Sequence, residues 1–148
     1  MRTEKDYEEF LNLLNKNKVK YAIVGSFALA LYSKPRYTKD LDILIEPEKE
    51  NIKRLINVLE KFGFKNIDIE EEDLTKKNQI LQLGYEPVRL DILTSISGCS
   101  FSEIWNNRVK EKYGKTTANF IGKRELIKSK RACGRKQDIA DLEFLEKF

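Results

Sequence analysis

The chain has 148 residues, a net charge of +4 and a pI near 8.9, with 35% charged and 41% hydrophobic residues. This length suits one domain, residues 1–148, with a real core, and the composition is that of a folded protein rather than a disordered one. It contains no histidine, which excludes Ser-His-Asp triads, Cys-His dyads, histidine metal sites and histidine general bases.

In chain order, Tyr7, Phe10, Leu11 and Leu14 carry the i, i+3, i+4, i+7 pattern of a helix over 4–16. Val19 to Val24 is a short apolar strand that ends at Gly25, and Ser26 suits the N-cap of a helix over Phe27 to Tyr32. Pro35 breaks that helix. Asp40 to Glu46 is a second strand. Pro47 opens a helix with Ile52, Leu55, Ile56, Leu59 and Phe62 on one face, and Gly63 sits where a C-terminal cap belongs.

Phe64 to Ile69 reads as a further strand and 70–73 as an acidic turn. Gln79 to Leu83 and Val88 to Thr94 form two strands joined around Gly84 and Pro87. Phe101 to Asn107 is a short helix behind Ser100 or Ser102. A hairpin over Val109 to Tyr113 and Thr116 to Ile121 turns at Gly114-Lys115. Two helices, about 123–133 and 137–147, close the chain around Gly134. The expected class is α+β, or mixed-sheet α/β: a central mixed sheet flanked by helices, with a C-terminal helical pair.

No apolar run reaches the ~20 residues of a membrane span, and the charged start lacks a signal-peptide core, so the expected location is the cytoplasm, with no membrane partner. Cys99 and Cys133 are expected as free thiols there.

The chemistry concentrates in "VGS", residues 24–26, and "DLDILIE", residues 40–46. Residues alternate faces along a strand, so Asp40 and Asp42 share one face while Leu41 and Ile43 share the other. Alone, the pair reads as a solvated strand start. "RLDILTS", residues 89–95, repeats the form and places Asp91 in a second apolar strand. If the strands are neighbours, three carboxylates gather, an oxygen donor set for Mg²⁺ or Mn²⁺ in a two-metal site. Asp91 alone reads as a capped or salt-bridged residue, with Arg89 as a candidate partner. Gly25-Ser26, between a strand and a helix, offers exposed N–H groups to a phosphate, or is an ordinary strand–helix turn.

Together these residues resemble the nucleotidyltransferase superfamily typified by DNA polymerase β. Its signature runs from an apolar residue, Gly, then Gly or Ser, to Asp-x-Asp and a later Asp. Here it is Val24-Gly25-Ser26, thirteen intervening residues, Asp40-Leu41-Asp42, then Asp91. The ending "LIKSKRACGRKQDIADLEFL" is similar to that of small stand-alone bacterial and archaeal members related to the abortive-infection toxins.

The resemblance implies that Gly25 and Ser26 hold nucleotide phosphates, with Lys130 a further phosphate ligand and Arg135 a weaker candidate. It implies that Asp40, Asp42 and Asp91 are catalytic and bind metal, Asp91 also helping to deprotonate the acceptor. The implied activity is transfer of NMP from an NTP to a hydroxyl on a small molecule, protein or RNA, releasing pyrophosphate. A toxin–antitoxin type regulatory or binding protein with a partner protein, and a non-catalytic nucleotide-binding domain, are the alternatives. Lys123, Arg124, Lys128 and Arg131 read as a solvated basic face, Asp138 as a helix cap and Trp105 as packing. Tyr32 and Tyr37 either stack on a base or cover the core.

Overall fold

Residues 4–33, 40–64, 70–85 and 88–147 are described by the structure, a computed structural model. The expected strand over 64–69, the loop carrying Tyr37, and Pro87 lie largely or wholly outside them.

Helix α1 (Lys5–Lys16) buries Tyr7, Phe10, Leu11 and Leu14, the stripe its periodicity marks. It ends in a Schellman closure. The N–H of Lys18 donates to Asn15 O at 3.1 Å and that of Val19 to Leu14 O at 3.0 Å, with Lys18 at a φ of 55°. Val19 is therefore spent on the helix end, and β1 (Tyr21–Val24) starts two residues later than its apolar run suggests. Helix α2 (Gly25–Tyr32) follows without a loop.

β2 (Asp40–Ile45), α3 (Lys49–Phe62) and a 3-10 turn (Glu71–Thr75) come next, then a hairpin of β3 (Ile80–Tyr85) and β4 (Val88–Leu93). α4 (Phe101–Asn106) starts at Ser100, whose hydroxyl accepts the Glu103 N–H. A second hairpin, β5 (Val109–Tyr113) and β6 (Thr116–Phe120), leads to α5 (Lys123–Cys133) and α6 (Lys136–Lys147). Gly63 and Gly134 close α3 and α5 in the left-handed region, as their positions lead one to expect.

The six strands form one mixed sheet in the order β3-β4-β2-β1-β6-β5. β2 runs parallel to β4, and β1 parallel to β6; the other neighbours are antiparallel. One face carries Tyr21, Ile23, Leu41, Ile43, Leu90 and Ile92 into a core with α1 and α3. The other carries Ala22, Val24 and Leu44 into a core with Ala28 and Leu29 of α2, Ile104 of α4, Leu126 of α5 and Leu145 of α6. Covered faces explain why most strands read as apolar runs.

A buried amide ties the sheet to α3. Asn51, 2% exposed, accepts the Lys20 N–H at 2.7 Å and donates to Lys20 O and Glu46 O, both at 3.0 Å. It thus joins the entry of β1 to the exit of β2. Replacing Asn51 by Leu keeps the volume and strands two backbone groups, the Lys20 N–H and Glu46 O, since Lys20 O still accepts the Glu46 N–H at 3.2 Å. The expected loss is roughly 2–4 kcal/mol of stability, since each buried group left unsatisfied costs about 1–3 kcal/mol. Urea unfolding of the variant measures it; an unchanged midpoint would show that water replaces the clamp.

Candidate active site

The site begins with strand register. β2 and β4 pair in parallel from Asp40 beside Arg89 to Leu44 beside Leu93, so "DLDIL" lies along "RLDIL" and Asp42 pairs directly with Asp91. Their alternate neighbours enter the α1–α3 core, which turns Asp40, Asp42 and Asp91 to the face covered by α2, α4, α5 and α6.

Gly25 supplies the floor. Its φ is +69°, and a Cβ built there would lie 2.1 Å from Asp42 Oδ2. Only a residue without a side chain lets the backbone run this close to the carboxylate. The turn also corrects the expected cap. Val24, not Ser26, holds the N-cap position of α2, and no side chain caps it. Because the left-handed Gly25 reverses the chain at once, the helix begins two residues earlier than Phe27 and Ser26 falls inside its first turn.

The remaining wall comes from α5 and α6. A pocket of about 400 Å³ is lined by Gly25, Asp42 and Asp91 on one side and by Lys130, Arg135 and Asp138 on the other. Gln82, Ser95, Ser97 and Ser129 add neutral polar groups to it. Lys130 is not part of a solvated face. Its side chain is 13% exposed, and its ammonium lies 3.3 Å from Asp138 Oδ1 and 3.0 Å from Asp141 Oδ2.

Asp138 does act at a helix start, but from the first turn of α6: its Oδ2 accepts the Arg135 backbone N–H at 3.2 Å and Arg135 Nε at 2.8 Å. Those Arg135 contacts, helped by Cys133 and Lys130, hold its carboxyl well below the usual range against the effect of burial. Asp141 carried no signal in the sequence. In "DIADLEFL" it reads as one more solvent-facing helix acid, and only the packing of α6 on α5 buries it to 2%.

The acids are strained electrostatically. Asp42 is pushed up to about 7, first by burial, then by the charge of Asp91 and a hydrogen bond shared with it, and then by Asp40; Lys130 opposes the shift. Asp91 Oδ1 is buried and has no hydrogen-bond partner. Asp40 faces Arg89, with Nε 3.8 Å from Oδ1, so Arg89 serves Asp40 rather than Asp91. Among the described residues no three acidic or cysteine side chains are gathered closely enough to hold an ion as they stand. The orphaned Asp91 oxygen and the repelling Asp42 beside it are nonetheless what a hard dication with oxygen ligands would relieve, so the donor set fits one.

A family described as "Nucleotidyltransferase of unknown function (DUF6036)" matches residues 5–145. The chain belongs to that nucleotidyltransferase family. Among solved structures, it is similar to the lincomycin-bound crystal structure of the lincosamide antibiotic adenylyltransferase LnuA. The TM-score is 0.63 and the identity 21%, over 97% of this chain and 96% of that one. At this identity the likeness is one of fold, and it bears out the mixed sheet with flanking helices. No match is found among curated proteins. Among the described residues no helix is long and apolar enough to cross a membrane.

Two outcomes follow for this nucleotidyltransferase. Gly25→Ala combines a left-handed φ with a clash against Asp42, so it should lower stability by roughly 1–3 kcal/mol. It should also displace the carboxylate, read as a chemical-shift change at Asp42 and Asp91; an unperturbed variant would show that the turn has slack. The second outcome concerns pH. Asp42 titrates higher in the folded protein than in the unfolded chain, so the folded state holds a proton that the unfolded state releases between about pH 4 and 7. The metal-free protein should lose stability as pH rises through that window and stay at its lowest above it. Asp42→Asn should flatten this dependence and raise stability at pH 8 by on the order of 1–3 kcal/mol. Thermal unfolding across pH decides, and a variant less stable than wild type at pH 8 would make Asp42 a structural ion-pair partner.

Proposed function

We propose that the protein transfers a nucleoside monophosphate from an NTP to a hydroxyl acceptor, with release of pyrophosphate and dependence on Mg²⁺ or Mn²⁺. The observation that carries this reading is the Asp42–Asp91 pair held against Gly25 and faced by Lys130. Asp40, Asp42 and Asp91 would hold the metal, which supplies charge neutralisation for the phosphates and the leaving group.

The chain's own groups do the rest by position. The first turn of α2, with Gly25 and Ser26, offers N–H groups and a hydroxyl to phosphate oxygens. Lys130 is fixed as a point charge by Asp138 and Asp141, so little side-chain entropy remains to be lost when a phosphate arrives. Arg135, whose side chain is 74% exposed, extends the cationic side to the pocket mouth. The acceptor hydroxyl gives its proton to Asp91, whose buried Oδ1 lacks another partner. Phosphoryl-type transfer is mainly positioning and charge stabilisation, so a chain without histidine suffices.

Calorimetric titration of NTPs with Mg²⁺ tests the reading. Wild type should bind, Asp42→Asn should lose metal-dependent binding, and Ser26→Ala should weaken it by roughly 1–3 kcal/mol, the range for hydrogen bonds to charged groups. Lys130→Ala removes the cation from two buried carboxylates, so it should also cost folding stability, of the order of 3–5 kcal/mol. Arg135→Ala leaves Lys130 in place and reports the phosphate contribution more cleanly. Wild type that binds no NTP with either metal would overturn the proposal.

A further inference from the structure

At the opposite end of β1 from Gly25 lies a second depression, of about 590 Å³, lined by Lys18, Lys20, Arg54, Arg108 and Lys110. It shares no lining residue with the pocket at Gly25. The cations come from the end of α1, the entry of β1, α3, the exit of α4 and the β5–β6 hairpin. Like charges gathered in one concavity repel unless something negative sits among them. Lys20 has Glu46, with Nζ 3.7 Å from Oε2. Lys18, Arg54, Arg108 and Lys110 have no acidic partner among the described residues. On other surfaces such cations are neutralised, Lys128 by Glu103 and Arg131 by Glu146. The surplus is therefore particular to this depression.

A neutral group in the same wall points the same way. Asn119, directly across the hairpin from Lys110, is only 9% exposed, and it lines the depression. Its backbone N–H donates to Tyr21 Oη at 3.3 Å, but its carboxamide has no hydrogen-bond partner among the described residues. A carboxamide so nearly buried is normally satisfied. Arg108, by contrast, is fixed in advance. Its guanidinium lies 3.6 Å from the Trp105 ring centroid, and its Nη1 donates to Trp105 O at 2.8 Å. Lys20 Nζ stands 5.8 Å from the same ring. Holding the guanidinium in place reduces the side-chain entropy lost when a ligand arrives. Phe101 stacks on the indole as well, at 6.0 Å between centroids. The ring is committed to its own neighbours, so the depression presents charge and hydrogen-bond donors rather than a stacking platform.

Lysine and arginine side chains only donate, and the Asn119 carboxamide adds two further N–H groups. The matching ligand carries many acceptor oxygens and several negative charges in a small volume. A single phosphate brings at most about two charges and leaves the depression cationic. A chain of two or three phosphates neutralises it. We propose that this depression binds a small polyphosphate, inorganic or as the tail of a nucleotide, at a site separate from the candidate active site. The site stands apart from nucleotidyl transfer. It needs no divalent metal, because the charge that balances the phosphates belongs to the protein, whereas Asp42 and Asp91 put carboxylates where a polyphosphate would lie.

Calorimetric titration of the full chain with sodium tripolyphosphate, in low salt with a metal chelator present, tests the site. One equivalent should bind, pyrophosphate should bind more weakly, and sulfate and citrate more weakly still. ATP under the same conditions distinguishes the sources. Affinity equal to that of tripolyphosphate confines the site to the phosphates, and clearly tighter binding extends it to the nucleoside; either result supports the proposal. Arg54→Glu with Lys110→Glu, both at exposed positions, should weaken tripolyphosphate binding roughly tenfold or more, and Asn119→Ala by about threefold to tenfold. Neither variant should lower the thermal stability of the ligand-free chain, since the first relieves like-charge repulsion and the second removes a carboxamide with no partner to lose. Arg135→Ala should bind tripolyphosphate like wild type. No binding in low salt, binding unchanged by the double charge reversal, or sulfate or citrate bound as tightly as tripolyphosphate would overturn the proposal. So would loss of binding in Arg135→Ala, which would place the anion in the candidate active site. An Asn119→Ala variant that binds normally but melts earlier would also count against it, because the carboxamide would then be structural.

Discussion

Everything at the candidate site depends on two strands lying parallel and in step. β2 and β4 each place a carboxylate at the same level, and the pairing forces Asp42 and Asp91 together against their mutual repulsion. The repulsion is tolerated because Leu41, Ile43, Leu90 and Ile92 point the other way into a closed core. A slip of one residue would carry these apolar side chains to the pocket and the acids into the core, so the register is fixed by burial. The core thus does the work of holding apart from water two charges that would otherwise separate.

The helices complete the pocket from the same logic of close approach. α2 leaves β1 so abruptly that its first residue runs beneath Asp42. α5 and α6 bring an ion-pair cluster in which Lys130 and Arg135 face Asp138 and Asp141. Cations and anions in that cluster balance. Burial and the neighbouring Asp91 already oppose the ionisation of Asp42. A bare polyphosphate therefore gains little in such a pocket, whereas one arriving with its own counter-charge answers both walls at once.

Local patterns made much of this legible. The repeated acid-Ile-Leu form told that Asp91 belongs beside Asp42, and glycines at 63 and 134 marked helix ends. What stayed hidden depends on contacts between distant segments. Ser26 looked like a cap because serine often is one; the left-handed Gly25, which moves the helix start, leaves no mark beyond being glycine. Asn51 sits among charged residues and reads as solvent-facing, yet it receives the strand entry of Lys20. Asp141 and Lys130 become partners only when α6 folds back on α5. The basic depression draws on five segments, so no window of sequence contains it.

The end of α1 shows a cost that the fold retains. Lys18 occupies the left-handed position that glycine fills most comfortably, at a strain on the order of 1 kcal/mol. Glycine would close the helix equally well and would leave the depression with one fewer charge. Relaxing that backbone is thus a route to a sturdier protein with a weaker electrostatic field, and the two properties are traded against each other at a single residue.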